Sequence, residues 1–281
     1  MRRLRTLALT AALAALGAGA ATGTASAAAT SHTATAQGYW EVAADGGIFT
    51  YGGAAFQGSQ GGQALNAPVV GMASTPDGGG YREVQANGIV SSFGDAAPLS
   101  TSSGALRAVG IAALSNGIYD EAYSGGQVLK QAGTFSTYSG AIAELNAPID
   151  GITAAQNDTA WMVASDGGVF GVDGAAFYGS MGGRTLNAPI VGIAATPDGG
   201  GYWLVASDGG IFSFGDATFD GSMGGIRLNA PVVGMTATPD GGGYWLVASD
   251  GGVFSFGDAT FLGSMGGRHL NAPIVGIAAA P

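Results

Sequence analysis

The stretch "GYWLVASDGG" occupies residues 201–210 and returns letter for letter at 243–252, 42 positions later. Tyr202, Leu204 and Ala206 alternate with Trp203, Val205 and Ser207, the period of two expected of a β-strand. Both sets are largely apolar, which suggests a strand covered on both faces. Asp208-Gly209 reads as a two-residue hairpin, because Asp and Gly tolerate the positive φ of a type I′ turn. Ile211-Phe212-Ser213-Phe214 continues as a strand, Gly215-Asp216 as a turn, and Ala217-Thr218-Phe219 as one more short strand.

Degenerate copies of the decapeptide put the second residue of its aromatic pair at 40, 82, 120, 161, 203 and 245. A second phrase keeps step with it. "NAPIVGIAATPDGG" from Asn187 has counterparts from Asn66, Ala105, Asn146 and Asn229, and a cut-off copy from Asn271. Its "IVGIAAT" or "VVGMTAT" is a short β run, and Pro-Asp-Gly-Gly is turn chemistry. Each unit of about 41 residues therefore predicts four antiparallel strands with tight turns, the signature of a β-propeller.

The fold expected is all-β: one six-bladed β-propeller over 38–281, four antiparallel strands per blade, with repeats starting near 38, 80, 118, 159, 201 and 243. No window has a 3.6-residue apolar period, and 53 glycines would be costly inside helices. A β-helix is the structural competitor, but its repeats are usually shorter and lack three hairpin turns each. The repeat is out of phase with the termini. The run Ala272–Ala280 is expected to supply the missing strand of the N-terminal blade and so close the ring, removing exposed sheet edges.

The first residues read as a targeting segment. Met1-Arg2-Arg3-Leu4-Arg5 is basic, Thr6 to about Gly19 is apolar, and Ala25-Ser26-Ala27 has the small-x-small form of a signal-peptidase site, giving a signal peptide over 1–27 and a flexible tail over 28–37. The apolar stretch is too short to span a bilayer, and no membrane insertion is expected. Loss of Arg2, Arg3 and Arg5 would move the net charge from −10 to −13, which speaks against nucleic acid or an anionic membrane as partner. The chain has no cysteine, hence neither disulfides nor a thiol nucleophile.

The unit "GYWLVASDGGIFSFGDATFDGSMGG…LNAPVVGMTATPDGG" resembles a repeat of secreted actinobacterial proteins that occurs alone or beside cell-wall hydrolases. The likeness covers essentially the whole mature chain and implies export and propeller-like repeats more than an activity. More loosely, the pattern of apolar strand, turn, "W-x-V" and "D-G-x-I/V-F" is similar to six-bladed tectonin-type propeller lectins.

Chemistry-bearing motifs are few. His32 lies in the tail, and His269 sits in a loop where the sister positions are Arg227, Thr185 and Ala64. No nucleophile elbow, zinc helix, phosphate loop or EF-hand is present, so no catalytic residue, metal or cofactor is assigned. Asp45, Asp166, Asp208 and Asp250 are equivalent turn residues, as are Asp77, Asp198 and Asp240, and turn chemistry explains their repetition. The inter-blade loops "GSMGGRTLNAP", "GSMGGIRLNAP" and "GSMGGRHLNAP" hold Met181, Met223 and Met265 and three of the few cations, Arg184, Arg227 and Arg268. These six are the candidate ligand-binding residues.

Units two and three depart from the pattern. Arg82-Glu83 and Asp120-Glu121 stand where others have Trp-Leu or Trp-Glu, and Asp150 follows Ile149. Drift is one reading, and a polar sector with Arg82 and Asp120 as a specific site is the other.

The function expected is a secreted, non-enzymatic, lectin-like binding module for cell-wall or other extracellular glycan, with multiple weak equivalent sites giving avidity. A scaffold for co-exported proteins is the alternative, and a glycan-acting hydrolase using acidic residues is a further one.

Overall fold

The computed structural model describes residues 37–99, 104–114, 117–132, 135–142 and 144–281, all within one compact unit, Thr35–Pro281. The signal-peptide segment, most of the tail and His32 lie outside the described residues. Among those described, no helix is long and apolar enough to cross a membrane.

The architecture is all-β and β-propeller-like. In chain order the strands are β1 (Gly38–Ala43) and β2 (Ile48–Gly52); β3 (Val69–Ser74), β4 (Gly80–Gln85) and β5 (Val90–Gly94); β6 (Ala108–Ala113), β7 (Ile118–Tyr123), β8 (Gln127–Ala132) and β9 (Phe135–Ala141). There follow β10 (Ile149–Ala154), β11 (Ala160–Ala164) and β12 (Val169–Val172); β13 (Ile190–Ala195), β14 (Gly201–Ala206) and β15 (Ile211–Gly215); β16 (Val232–Ala237), β17 (Gly243–Ala248) and β18 (Val253–Gly257); and β19 (Ile274–Ala280). Each group forms one antiparallel sheet, and β19 joins β1 and β2 to complete the first. Gly38 pairs with Ala280 and Tyr39 with Ala279, so the first sheet draws its strands from both ends of the described chain.

Four strands per sheet is corrected to three in five of the six sheets; only β6-β7-β8-β9 has four. Ala217-Thr218-Phe219 is not a strand. Its backbone is claimed by side chains instead: the Trp203 indole donates to the Thr218 carbonyl at 2.6 Å, and the Tyr244 hydroxyl, one sheet on, donates to the Gly221 carbonyl at 2.7 Å and accepts from the Asp220 amide. Gly221 holds φ +133° with the Phe256 ring where a side chain would go, so only glycine fits this crossing.

The core lies between sheets. Trp203 and Val205 on one face of β14 cluster with Tyr244 and Leu246 of β17, while Tyr202, Leu204 and Ala206 on the other face cluster with Trp161 and Val163 of β11. Trp245 and Val247 meet Tyr39 and Ala43 of β1 in the same way. Ring centroids of the Trp–Tyr pairs lie 5.1–5.6 Å apart, worth about 0.5–1.5 kcal/mol per pair beyond the buried area. The first strands β3, β6, β10, β13, β16 and β19 lie side by side in that order, and β19 also lies beside β3. They approach most closely at Gly71, Gly110, Gly151, Gly192, Gly234 and Gly276, where an added Cβ would meet the neighbouring strand at 3.2–4.0 Å.

Candidate functional site

Local turn chemistry builds the loop-bearing face. The Asp208 carboxylate accepts from the Gly210 amide at 2.9 Å, and Gly209 holds φ +79°. The Gly209 carbonyl accepts from the Met223 amide, and the Ser207 carbonyl from Val232 at the start of the next sheet. Hairpins and inter-sheet loops are thus stitched together on one face, and the pattern repeats at Gly167 with Met181 and at Gly46 with Gln60.

Arg184, Arg227 and Arg268 are exposed on this face, each in a different inter-sheet loop, so the structure does not gather them into one pocket. Met181, Met223 and Met265 are half-buried; Met181 and Met223 pack against the inter-sheet cores. Met265, His269, Asp45 and Phe49 line a cleft of ≈ 230 Å³ between the sixth loop and the first sheet.

Arg82 and Asp120 lie inside rather than on this surface, 1% and 0% exposed. Arg82 takes over the work of a tryptophan. It donates to the Ala97 carbonyl at 2.6 Å, as Trp40, Trp161, Trp203 and Trp245 each donate to a carbonyl 15 residues on. Its guanidinium lies 3.5 Å from the Tyr119 ring centroid, in the place of the Trp–Tyr contact. Asp120 faces Lys130, whose ammonium also reaches Asp173 and the Asp158 carbonyl. Burial pushes the Asp120 carboxyl up to about 7, with Lys130 opposing. A ligand reaching either residue would have to enter between sheets.

Three further features were missed from sequence. Glu41 and Glu83 are fully buried, and none of their carboxyl oxygens has a hydrogen-bond partner. Burial pushes both up to about 8, with Asp250 adding to the rise at Glu41 and Asp45 at Glu83; the Met265 backbone opposes it at Glu41 without making a hydrogen bond. Phe56, Phe177, Phe219 and Phe261, equivalent in four units, are 57–63% exposed. The inner strands enclose a cavity of ≈ 310 Å³ lined by Met72, Ile111, Ile152, Ile193, Met235 and Ile277 among others. Aligning the six units shows the first as acids in a column of Met162, Leu204 and Leu246, but exposure of the phenylalanines has no signal once they are read as strand.

The opposite face carries the Pro-Asp-Gly turns. Thr196 Oγ1 accepts from the Gly201 amide at 2.9 Å and lies 3.2 Å from Asp216, an arrangement repeated at Thr75 with Asp95 and Thr238 with Asp258. Hydrogen bonds from Gly200 and Thr196 hold the Asp198 carboxyl below its ordinary range. Among the described residues no group of three or more His, Cys, Asp or Glu is placed to hold a metal ion.

No family model matches the chain, nor does any curated protein. Its fold is similar to a chain in the crystal structure of a nidogen/laminin complex, with a TM-score of 0.56 over 87% of this chain and 98% of that one. Identity there is 10%, so the likeness is of fold alone. In all, 793 solved chains match this fold, a breadth that selects no function.

Proposed function

We propose that this chain is an exported, six-bladed binding module whose inter-blade loops recognise an extracellular or cell-wall glycan. In this reading the β1–β19 pairing and the Trp245–Tyr39 contact are the seam that closes the ring. The basic-apolar-small leader, the resemblance to secreted actinobacterial repeats and the looser lectin likeness support it. The observation that carries the choice of face is charge: the four exposed arginines among the described residues, Arg107, Arg184, Arg227 and Arg268, all stand on the inter-sheet loops of a net acidic chain. Similar loops repeated around a ring present weak sites that add through avidity.

Retention on peptidoglycan or a glycan array, competed by free sugar, is the expected result. The triple variant Arg184→Ala, Arg227→Ala, Arg268→Ala is expected to lose it; untouched retention would move the site elsewhere. A second reading, a scaffold for co-exported proteins, is favoured by the repeated exposed phenylalanines, since apolar exposure in a pattern marks protein contacts. The matching fold comes from a complex of two proteins. Binding only to co-exported proteins, lost on Phe→Ala at 56, 177, 219 and 261, would select it.

A further inference from the structure

The inner strands leave a second opening at the loop-bearing end, a mouth of ≈ 100 Å³ to which each contributes three consecutive residues, the first of them Val70, Val109, Asp150, Val191, Val233 and Val275. Five units place valine here and the third places a carboxylate. Asp150 is half-buried, and both ion pairs found among the described residues belong to Lys130, so Asp150 has no salt-bridge partner. The opposing charge that acts on it is Arg107, an exposed residue where sister units have Pro68, Pro148 or Pro189. Beyond the mouth the same Met and Ile residues border the larger cavity, together with Ser74, Thr153 and Thr236.

We propose that this mouth binds an alkylammonium group, its charge against the Asp150 carboxylate and its methylenes against the valine ring. An ammonium supplies the donors that the carboxylate lacks, and a short alkyl chain gains from leaving water. Anions are repelled by the carboxylate, and a neutral alcohol lacks the charge that would pair with it. The group belongs either to a free amine or to a lysine side chain of a protein. The site is independent of the loop arginines, so failure of one reading leaves the other standing.

Calorimetric titration of the protein with n-butylammonium and with Nα-acetyl-lysine methylamide tests it, with n-butanol and butyrate as controls. Saturable one-to-one binding of at least one amine is expected. Asp150→Val, which installs the residue of the five sister units, weakens it at least about tenfold, while Arg107→Ala tightens it. Binding of the lysine derivative assigns the mouth to a protein's lysine, and binding of butylammonium alone to a free amine. No binding of either amine, butanol binding as tightly, or an unchanged affinity in Asp150→Val overturns the proposal. If Asp150→Val does not fold, Asp150→Asn is read in its place by the same criteria.

Discussion

The buried carboxyls of Glu41 and Glu83 make stability depend on pH in a stated direction. Their ordinary value is 4.5 and burial raises each to about 8. Between those values the folded chain holds more protons than the unfolded one, so stability is full below about 4.5, falls as pH rises, and levels off above about 8. Through that window each carboxyl costs about 1.4 kcal/mol per pH unit. The double variant Glu41→Leu, Glu83→Leu installs the residue of Leu204 and Leu246. Its urea midpoint should exceed the parent's at pH 8 and depend less on pH; parallel curves would contradict the assignment. Arg82 yields a complementary expectation. Arg82→Trp restores the sister contact and should leave the melting temperature unchanged or higher. Arg82→Ala removes a stacked cation and a buried hydrogen bond and should cost about 2–4 kcal/mol in chemical denaturation.

At the scale of elements, side chains decide which segments become strands. The loop after β15 has β-forming residues, yet Trp203 and Tyr244 take its carbonyls at Thr218 and Gly221. In the third unit Asp120 replaces the tryptophan and Ala160 replaces the next sheet's tyrosine; there the segment is free to pair, and β9 forms against β8. Tyr244→Phe removes one donor and one acceptor from this crossing and should cost about 1–2 kcal/mol. Amide exchange at Asp220 should accelerate while that within β17 is unchanged; equal rates at Asp220 would show that the tyrosine does not hold the loop. This explains what was legible in the sequence. Alternation and turn residues are local, so the strands of "GYWLVA", "IFSFG" and "VVGMTA" were readable in place. The fate of Ala217-Thr218-Phe219 depends on a hydroxyl 25 to 27 residues away on the next sheet, which no local pattern encodes. For the same reason the exposed arginines of the loops were readable, whereas the burial of Arg82 and Asp120 was not: an arginine that stacks and donates like tryptophan looks in sequence like a surface charge.

At the scale of the whole molecule, the first sheet draws its strands from both ends of the described chain, and the proposed closure makes stability depend on that pairing. Removing Asn271–Pro281 strips β19 from β1, takes Ile274 and Ile277 from the cluster with Trp245, and takes Ala278 and Ala280 from the cluster with Trp40. Exposing two buried isoleucines alone costs about 3–6 kcal/mol, a large part of what such a fold has. The truncated chain should lose cooperative unfolding or melt far below the parent; an unchanged melting temperature would contradict a sealed ring. A permuted chain separates the need for β19 from the need for closure. Gly38 pairs with Ala280, and elsewhere such paired ends are joined by Pro-Asp-Gly-Gly, as between Thr196 and Gly201. Linking Pro281 to Gly38 through Asp-Gly-Gly recreates that turn, and opening the chain between the exposed Gly224 and Gly225 moves the ends into a solvent-facing loop. Every sheet keeps its strands, so the permutant should melt within a few degrees of the parent. If it fails to fold while the parent is stable, the β19–β1 junction is not interchangeable with the other five turns, and the proposed closure is contradicted.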